Sequence, residues 1–584
     1  MRLVLCPSKV AVSTRRLLTS FLFIGIILFP VTGQAPVNTS PGPGAADIRL
    51  NQLGYYTEAS KRVAIVNSSA HKWILVDALG SRVFSGKFKP GIYWDKSGDT
   101  VKIADFSKYT RPGTYQLYLP DKGYSYAFEI KPAVYNEVLK AAVRTFYYQR
   151  ASMPLEEKFA GIFARPAGHP DDVCYFHPST GHSTGMKASP GGWYDAGDYN
   201  KYIVNAGITV SMMLSLAELF PGSIPDGFSN IPESGNGKND LLDELQYELD
   251  WMLTMQDQDG GVFHKLTNLG FDAFQMPEKS TDKRYFVGKS TTATLCFAAS
   301  LAQASRVFRP SAPDYAGRLL DASKKAFDWA QVNPNTPFRN PPDVVTGPYA
   351  NDDPQDEFFW ATAELLRATG DRKYHSELQK YRRPLELNPS ENWRLYLRNL
   401  GYYTLLMEHN YLSAEEAAGI RKEVLQLADD QLIKLNGNPY QIPLEVFEWG
   451  SNSDILDLAM LFAYAWQVTG ELRYRDAVIE TTDYIFGKNA TGYSFVTGFG
   501  WKTPMFPHHR PSGSDGIAAP VPGFVVGGPN VVRQDAANGA KYSSLLPAKS
   551  YTDMQDSYAS NEICINWNGP LIFVLGYLEA KMRK

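Results

Sequence analysis

The chain has 584 residues and a formal net charge of −3, too long for one ordinary core, so at least two domains are predicted. Nothing in a charge this close to balance is basic enough to suggest nucleic-acid binding. Aromatics make up 13% of the residues, including 34 tyrosines, whose flat faces and polar edges suit both core packing and stacking on sugar rings.

The first element is an export signal, Met1–Ala35. Arg2, Lys9, Arg15 and Arg16 form a basic front, Leu17–Phe29 is apolar, and Val31–Ala35 offers small residues for cleavage. The apolar run falls short of the ~20 residues that span a bilayer, and no Cys follows it to carry a lipid. The Arg15–Arg16 pair also permits twin-arginine export. The mature chain is expected to be secreted or periplasmic, with no membrane anchor. Cys6 lies in the signal. Cys174, Cys296 and Cys564 allow one disulfide but lack the spacing of a zinc site. Cys296 and Cys564 read as small buried hydrophobes.

Residues 36–44 form a linker rich in Pro, Gly, Ser and Thr. Over 45–132 the apolar period is two. Ile48–Leu53, Val63–Val66, Trp73–Val76, Val83–Lys87, Val101–Phe106, Thr114–Leu119 and Tyr124–Ile130 are predicted strands, parted by turns such as Arg111-Pro112-Gly113. Seven short strands in so few residues predict an immunoglobulin-like all-β sandwich serving as a scaffold.

From 133 to 584 the period becomes 3.6. Helices are predicted over Ala133–Gln149, Tyr199–Phe220, Asp240–Gln256, Thr291–Phe308, Ala316–Val332, Asp356–Thr369, Trp393–Glu408, Ala414–Leu435, Ser453–Thr469, Tyr474–Gly487 and Asn561–Met582, with room for a twelfth. No fixed-period repeat favours a solenoid. A closed all-α (α/α)6 barrel instead gathers its long loops at one end. Those loops are Arg150–Trp193, Gly260–Ser290, Asn333–Gln355, Gly437–Asn452 and Lys488–Ser560.

Three stretches carry chemistry. In Gly191–Tyr202, GGWYDAGDYNKY, Asp195 and Asp198 follow two glycines and precede an apolar helix. The expectation is a pair at a helix N-terminus, held ionised by the dipole, although Asp is also a common capping residue. Ser494–Arg510, SFVTGFGWKTPMFPHHR, ends in His508, His509 and Arg510. Adjacent histidines poorly ligate one metal, so hydrogen bonding to hydroxyls, or bracing of the loop, fits better. Tyr551–Pro570, YTDMQDSYASNEICINWNGP, clusters Asp553, Asp556 and Glu562 among Tyr551, Tyr558 and Trp567. Glu562 opens an apolar helix and is expected to be desolvated and protonated. An acid facing an ionised pair is what glycosidic cleavage needs.

These three motifs, in this order, resemble glycoside hydrolase family 9, inverting endo-β-1,4-glucanases on an (α/α)6 barrel. The sandwich resembles the immunoglobulin-like domain of one subgroup. Cys564 and Gly569 stand where the third motif usually has Ser, Thr or Ala, and are expected to touch only the helix packing behind Glu562. The resemblance implies Glu562 as general acid, Asp198 as general base, Asp195 as its partner on the attacking water, His508 and Asp553 in the active site, and Arg510 on sugar hydroxyls.

Trp360, Trp449, Tyr558 and Trp567, with Tyr440, Phe447 and Trp393, are candidates to line a cleft by stacking, or to pack in the core. Asp352, Asp353, Asp356 and Glu357 lie close enough to hold a structural calcium, as a similar loop does in some family members. The alternative is an acidic helix start at Asp356–Glu357. No cofactor is expected for the chemistry.

The expected partner is a β-glucan polysaccharide or oligosaccharide substrate, with xyloglucan and mixed-linkage glucan open, and the protein is expected to be a monomer. An exo-acting cellodextrinase and a silent carbohydrate-binding protein are the alternatives; the last predicts a missing acid. The chain stops after its last helix, so no cellulose-binding module is expected behind it.

Overall fold

The computed structural model describes residues 40–182, 184–385, 394–408 and 410–583. The signal segment and Trp393 lie outside them. The first domain is a two-sheet sandwich. One sheet orders β1 (Ile48–Arg49), β3 (Arg62–Val66), β7 (Asp99–Asp105) and β6 (Ile92–Trp94). The other orders β2 (Tyr55–Tyr56), β10 (Phe128–Lys131), β8 (Gly113–Leu119), β4 (Lys72–Asp77) and β5 (Arg82–Lys87), with β9 (Gly123–Tyr124) on β8. Alternation puts Val63, Ile65, Trp73, Leu75, Leu117 and Phe128 into one core.

Among its described residues the second domain has twelve helices of ten or more residues. They are α1 (Asn136–Gln149), α2 (Ile203–Leu219), α3 (Asp240–Thr254), α4 (Thr291–Phe308), α5 (Pro313–Val332), α6 (Gln355–Thr369), α7 (Arg372–Tyr381), α8 (Arg394–Leu406), α9 (Ala414–Gly437), α10 (Ser451–Thr469), α11 (Leu472–Ile485) and α12 (Ile565–Met582). The even-numbered helices form an inner ring: α12 packs on α2, α2 on α4, α4 on α6, α6 on α8, and α10 on α12. Stacked Tyr403 and Tyr464, 4.2 Å between centroids, join α8 to α10 and close the ring. The inner helices explain their own sequences. Ile203–Ala217 is buried throughout, so α2 is apolar all round rather than amphipathic.

Three boundaries differ from the sequence reading. The segment Arg372–Tyr381 supplies the twelfth helix. α2 starts at Ile203 because Lys201–Tyr202 is a strand, β13, paired with Leu266 and Lys265. α12 starts at Ile565 because Glu562 is extended (φ −71°, ψ 155°). Stretches that read as loops also carry a five-stranded sheet, ordered β12 (Met186–Lys187), β11 (Cys174–Phe176), β15 (Arg284–Lys289), β14 (Phe263–Thr267) and β13. Three of its strands have only two or three residues, and β14 is buried throughout and β15 nearly so, so none shows apolar–polar alternation.

Candidate active site

A cavity of about 800 Å³ opens at one end of the barrel. Tyr202, Gly450 and Cys564, the residues capping the N-termini of α2, α10 and α12, all line it. Three helix N-termini therefore face one space, a field that favours negative charge.

The pair of aspartates is held from behind. Gly191 and Gly192 take φ of +82° and +76°, and a Cβ on Gly192 would meet the Trp251 ring at 2.6 Å; only glycine turns here. Trp193 is pinned by two acids of α3, its N–H donating to Glu248 (2.6 Å) and its indole N–H to Glu244 (2.8 Å). Asp195 and Asp198 follow, in a loop ahead of β13 rather than at the start of α2.

Their surroundings differ. Both oxygens of Asp195 are occupied: Asn205 Nδ2 donates to Oδ1 (2.5 Å) and Tyr349 OH to Oδ2 (2.6 Å). Asp198 receives Asn200 Nδ2 (2.5 Å) and Tyr202 OH (3.3 Å) on one oxygen, Oδ2. Among the described residues no donor reaches Oδ1, which is left to the cavity. Burial, reinforced by the charge of Asp198, raises the Asp195 carboxyl, against the pull of its hydrogen bonds from Tyr349 and Asn205. The expected helix start is corrected: both acids lie ahead of β13, and desolvation works against the ionisation of Asp195.

Glu562 comes to the same cavity from the third motif. Residues 562–564 run as a connector between loops. Gly527 N–H donates to Glu562 O (2.9 Å), His508 N–H to Asn561 O (2.9 Å), and Ile565 N–H to Asp195 O (2.9 Å). Bridges join His508 to Glu562 and Ala196 to Cys564. Burial first, then the charge of Asp198, raises the Glu562 carboxyl well above the usual range, against the pull of Arg510. That direction favours the protonated form, which a general acid requires.

Of the adjacent histidines only His508 lines the cavity. Its Nδ1 lies 2.7 Å from the carbonyl of Gln555; a carbonyl only accepts, so Nδ1 holds the proton. Burial lowers its pKa to about 4, so Nε2 is a bare acceptor. His509 is buried behind, against Gln149 Oε1 (3.1 Å). Arg510 lines the cavity and ties the aspartate loop down, donating to Gly197 O (2.7 Å) and Asp272 O (2.8 Å). Trp449, Tyr558 and Trp567 also line it.

Several expectations are corrected. Trp360 is fully buried within the barrel core; it lies inside α6 and cannot stack on a ligand. Tyr440 and Phe447 are core as well. Asp553 does not line the cavity: it accepts from Met505 N–H (2.8 Å), Phe506 N–H (2.9 Å) and Asn561 Nδ2 (3.1 Å), and so shapes the histidine loop. The calcium set disperses. Asp352 pairs with Arg339 (2.5 Å), Asp353 with Arg383 (3.0 Å) and Asp356 with Arg398 (2.8 Å), while Glu357 turns inward to Asn351 (2.8 Å). No group of three or more metal-ligating side chains converges among the described residues. All three described cysteines are free. Cys564 belongs to the site rather than to packing behind it, since Asn205 Nδ2 donates to its Sγ (3.2 Å) and Asn205 also holds Asp195; Gly569 does pack against α2 at Thr209 and Met212.

The site also uses residues that the sequence reading passed over. Asn200, Tyr202 and Asn205 lie within or just past the first motif. Tyr349 opens the acidic stretch read for calcium. Phe271, half exposed, lines the rim. An aromatic or amide among many has no distinguishing pattern until the fold brings it to a carboxylate.

Comparison with known proteins agrees with this layout. The family model described as glycosyl hydrolase family 9 matches residues 135–575, and that of the cellulase N-terminal ig-like domain matches residues 44–124. A xyloglucan-specific endo-β-1,4-glucanase of Bacteroides ovatus is 41% identical, covering 95% of this chain and 98% of that protein. Endoglucanase D of Acetivibrio thermocellus is 35% identical, covering 90% and 82%. The solved structure of a Bacteroides ovatus GH9 protein superposes with a TM-score of 0.85 at 38% identity, over 92% of this chain and 100% of that one. The chain belongs to glycosyl hydrolase family 9, its (α/α)6 barrel preceded by the immunoglobulin-like domain of cellulases.

Proposed function

We propose that this protein is an endo-acting, inverting β-1,4-glucanase, with Glu562 as general acid and Asp198 as general base. The observation that carries the assignment is the unequal hydrogen bonding of the two aspartates. A base needs an oxygen with room for a water. Asp198 Oδ1 has it, whereas both oxygens of Asp195 are taken. Water on Oδ1 gives its proton to Asp198 as its oxygen bonds to the anomeric carbon. The glycosidic C–O bond breaks and Glu562 gives its proton to the departing oxygen. Asp195, held by Asn205 and Tyr349, steadies the loop that carries the base, its N–H donating to Asn200 O (3.0 Å). His508 Nε2 accepts from a sugar hydroxyl and Arg510 borders the same space.

No cofactor enters these steps. Exposed Phe271 and Trp449 at the rim suit stacking on a polymer that runs past the acids. Likeness to the xyloglucan-specific enzyme of Bacteroides ovatus makes xyloglucan the first substrate to test. Export rests on the Met1–Ala35 segment; no described helix is long and apolar enough to cross a membrane.

The deciding measurement is the anomeric form of freshly released sugar from xyloglucan oligosaccharides and cellohexaose, followed by NMR. α-Anomer at early times supports inversion; β-anomer refutes it. Random internal cuts in the polymer support endo action, and release of a single short product from one end refutes it.

A further inference from the structure

Behind the aspartates lies a cation that belongs to the chain. Lys265, on β14, is fully buried. Its Nζ donates to Asn340 Oδ1 (2.8 Å), Thr346 Oγ1 (2.9 Å), Gly347 O (3.0 Å) and Thr346 O (3.3 Å). Four oxygens from one loop thus converge on an ammonium with three protons, much as they would around a small metal ion. The rings of Tyr202 and Phe338 cover it at 5.6 Å and 5.4 Å. Burying a charge without a carboxylate partner is costly. The loop carbonyls and hydroxyl are what offset that cost, so loop and ammonium hold each other.

Two hydrogen-bond routes lead from this cluster to the same atom. In one, Gly347 N–H donates to Tyr202 OH (3.1 Å), which donates to Asp198 Oδ2 (3.3 Å). In the other, Thr346 Oγ1 meets Thr267 Oγ1 (2.8 Å), Thr267 donates to Asn200 Oδ1 (2.8 Å), and Asn200 Nδ2 donates to Asp198 Oδ2 (2.5 Å). The loop then ends at Tyr349, which serves Asp195. Tyr349 has φ of +40°, a conformation that an aromatic residue keeps only when its surroundings enforce it. His264 on the same strand adds one restraint, its Nε2 donating to Pro348 O (2.8 Å).

We propose that Lys265 is a positioning residue of the hydrolysis: its ammonium gathers the 340–349 loop and, through Tyr202 and Asn200, fixes the Asp198 carboxylate with Oδ1 turned to the water. The proposal rests on Asp198 being the base. Register agrees with it, since Lys265 and Tyr202 are direct partners across β13 and β14. Charge links the two groups as well: Asp198 is what opposes the pull of burial on the Lys265 ammonium.

The test uses the full-length enzyme with an aryl β-cellobioside and with xyloglucan. Lys265→Met is expected to lower kcat about 10²-fold, the scale of a misplaced catalytic group, while KM and the binding of cellotetraose by calorimetry stay within about threefold. In Lys265→Ala, added ethylammonium is expected to restore part of kcat and sodium to restore none. A folded Lys265→Met enzyme with wild-type kcat overturns the proposal, as does a loss that falls on KM alone. Should neither variant fold, Thr346→Val removes one Nζ acceptor and the Thr267 link; a kcat loss supports the proposal and an unchanged kcat overturns it. Asp198→Asn separates the two readings. If it retains wild-type activity the base assignment fails. If it is inactive while Lys265→Met is not, only the role of Lys265 fails.

Discussion

Asp195 and Asp198 are the same side chain three positions apart, and what distinguishes them is their partners. A carboxylate with one oxygen clamped and one open is a directed base; one with both oxygens clamped is a brace. Asp198→Asn is therefore expected to lower kcat by about 10²–10⁴-fold with little change in KM, the usual contribution of general-base catalysis. Steady-state kinetics on cellohexaose check this, and a loss confined to KM would contradict it.

Glu562 has the complementary role, and its chemistry makes a sharper prediction. A basic sugar oxygen needs a proton to leave; a dinitrophenolate does not. Glu562→Gln should thus cripple cleavage of xyloglucan yet retain most of the rate on dinitrophenyl β-cellobioside. Because burial raises this carboxyl, the acid form persists where an ordinary Glu has ionised, and activity falls only as pH rises through the raised value. The substitution should abolish that alkaline limb in the pH–rate profile.

Short connecting segments, more than the long helices, set the precision of the site. Gly197 passes so close to the histidine loop that a Cβ would sit 2.2 Å from His508 O. Gly197→Ala must part the first two motifs, and a shift near 1 Å costs about 10²-fold. We expect a large fall in kcat with a normal circular-dichroism spectrum, and equal kcat would mean that the loops move freely.

The start of α6 teaches the opposite lesson. Its acids read as metal ligands, but three go to arginines and Glu357 goes inside, where burial pushes it up to about 8. A carboxyl whose folded pKa is raised binds a proton that the unfolded chain has released, so its contribution is full below the unfolded value and is lost as pH climbs through about 8. Glu357→Gln keeps the acceptor for Asn351 and cannot ionise. Its melting temperature should gain on the wild type between pH of about 5 and about 9, and chelator should shift neither protein through this loop.

Across the whole molecule, the sandwich is bound to the barrel by buried polar pairs rather than by a loose linker. Asn51 Nδ2 donates to Asp483 Oδ1 and Tyr135 OH (both 2.7 Å), Tyr56 OH to Glu579 (2.7 Å) and Ser60 to Glu480 (2.5 Å). Asp99 reaches the barrel through Lys549 (2.7 Å) and Tyr440 OH (3.0 Å). Lys549 belongs to the long loop that also carries the histidine motif, so the scaffold steadies a wall of the site. Asn51→Ala leaves Asp483 and Tyr135 short of a partner, at a cost of about 1–3 kcal/mol. A lower urea midpoint with an unchanged kcat for the folded enzyme is expected; a separate early transition for the sandwich would show that the interface does not couple them.

Patterning alone decides much of this protein, because strand and helix periods are local. The sandwich, eleven of the long helices and the three motifs with their acids are all legible in order along the chain. What local order cannot carry is convergence. Whether Trp360 faced sugar or core, whether four neighbouring acids met one ion or four partners, and which aspartate kept an open oxygen all depended on side chains from distant segments. Only the closing of the inner helix ring brought Asn205, Lys265 and Tyr349 around the pair, and desolvation in that enclosed space raises the carboxyls of Asp195 and Glu562.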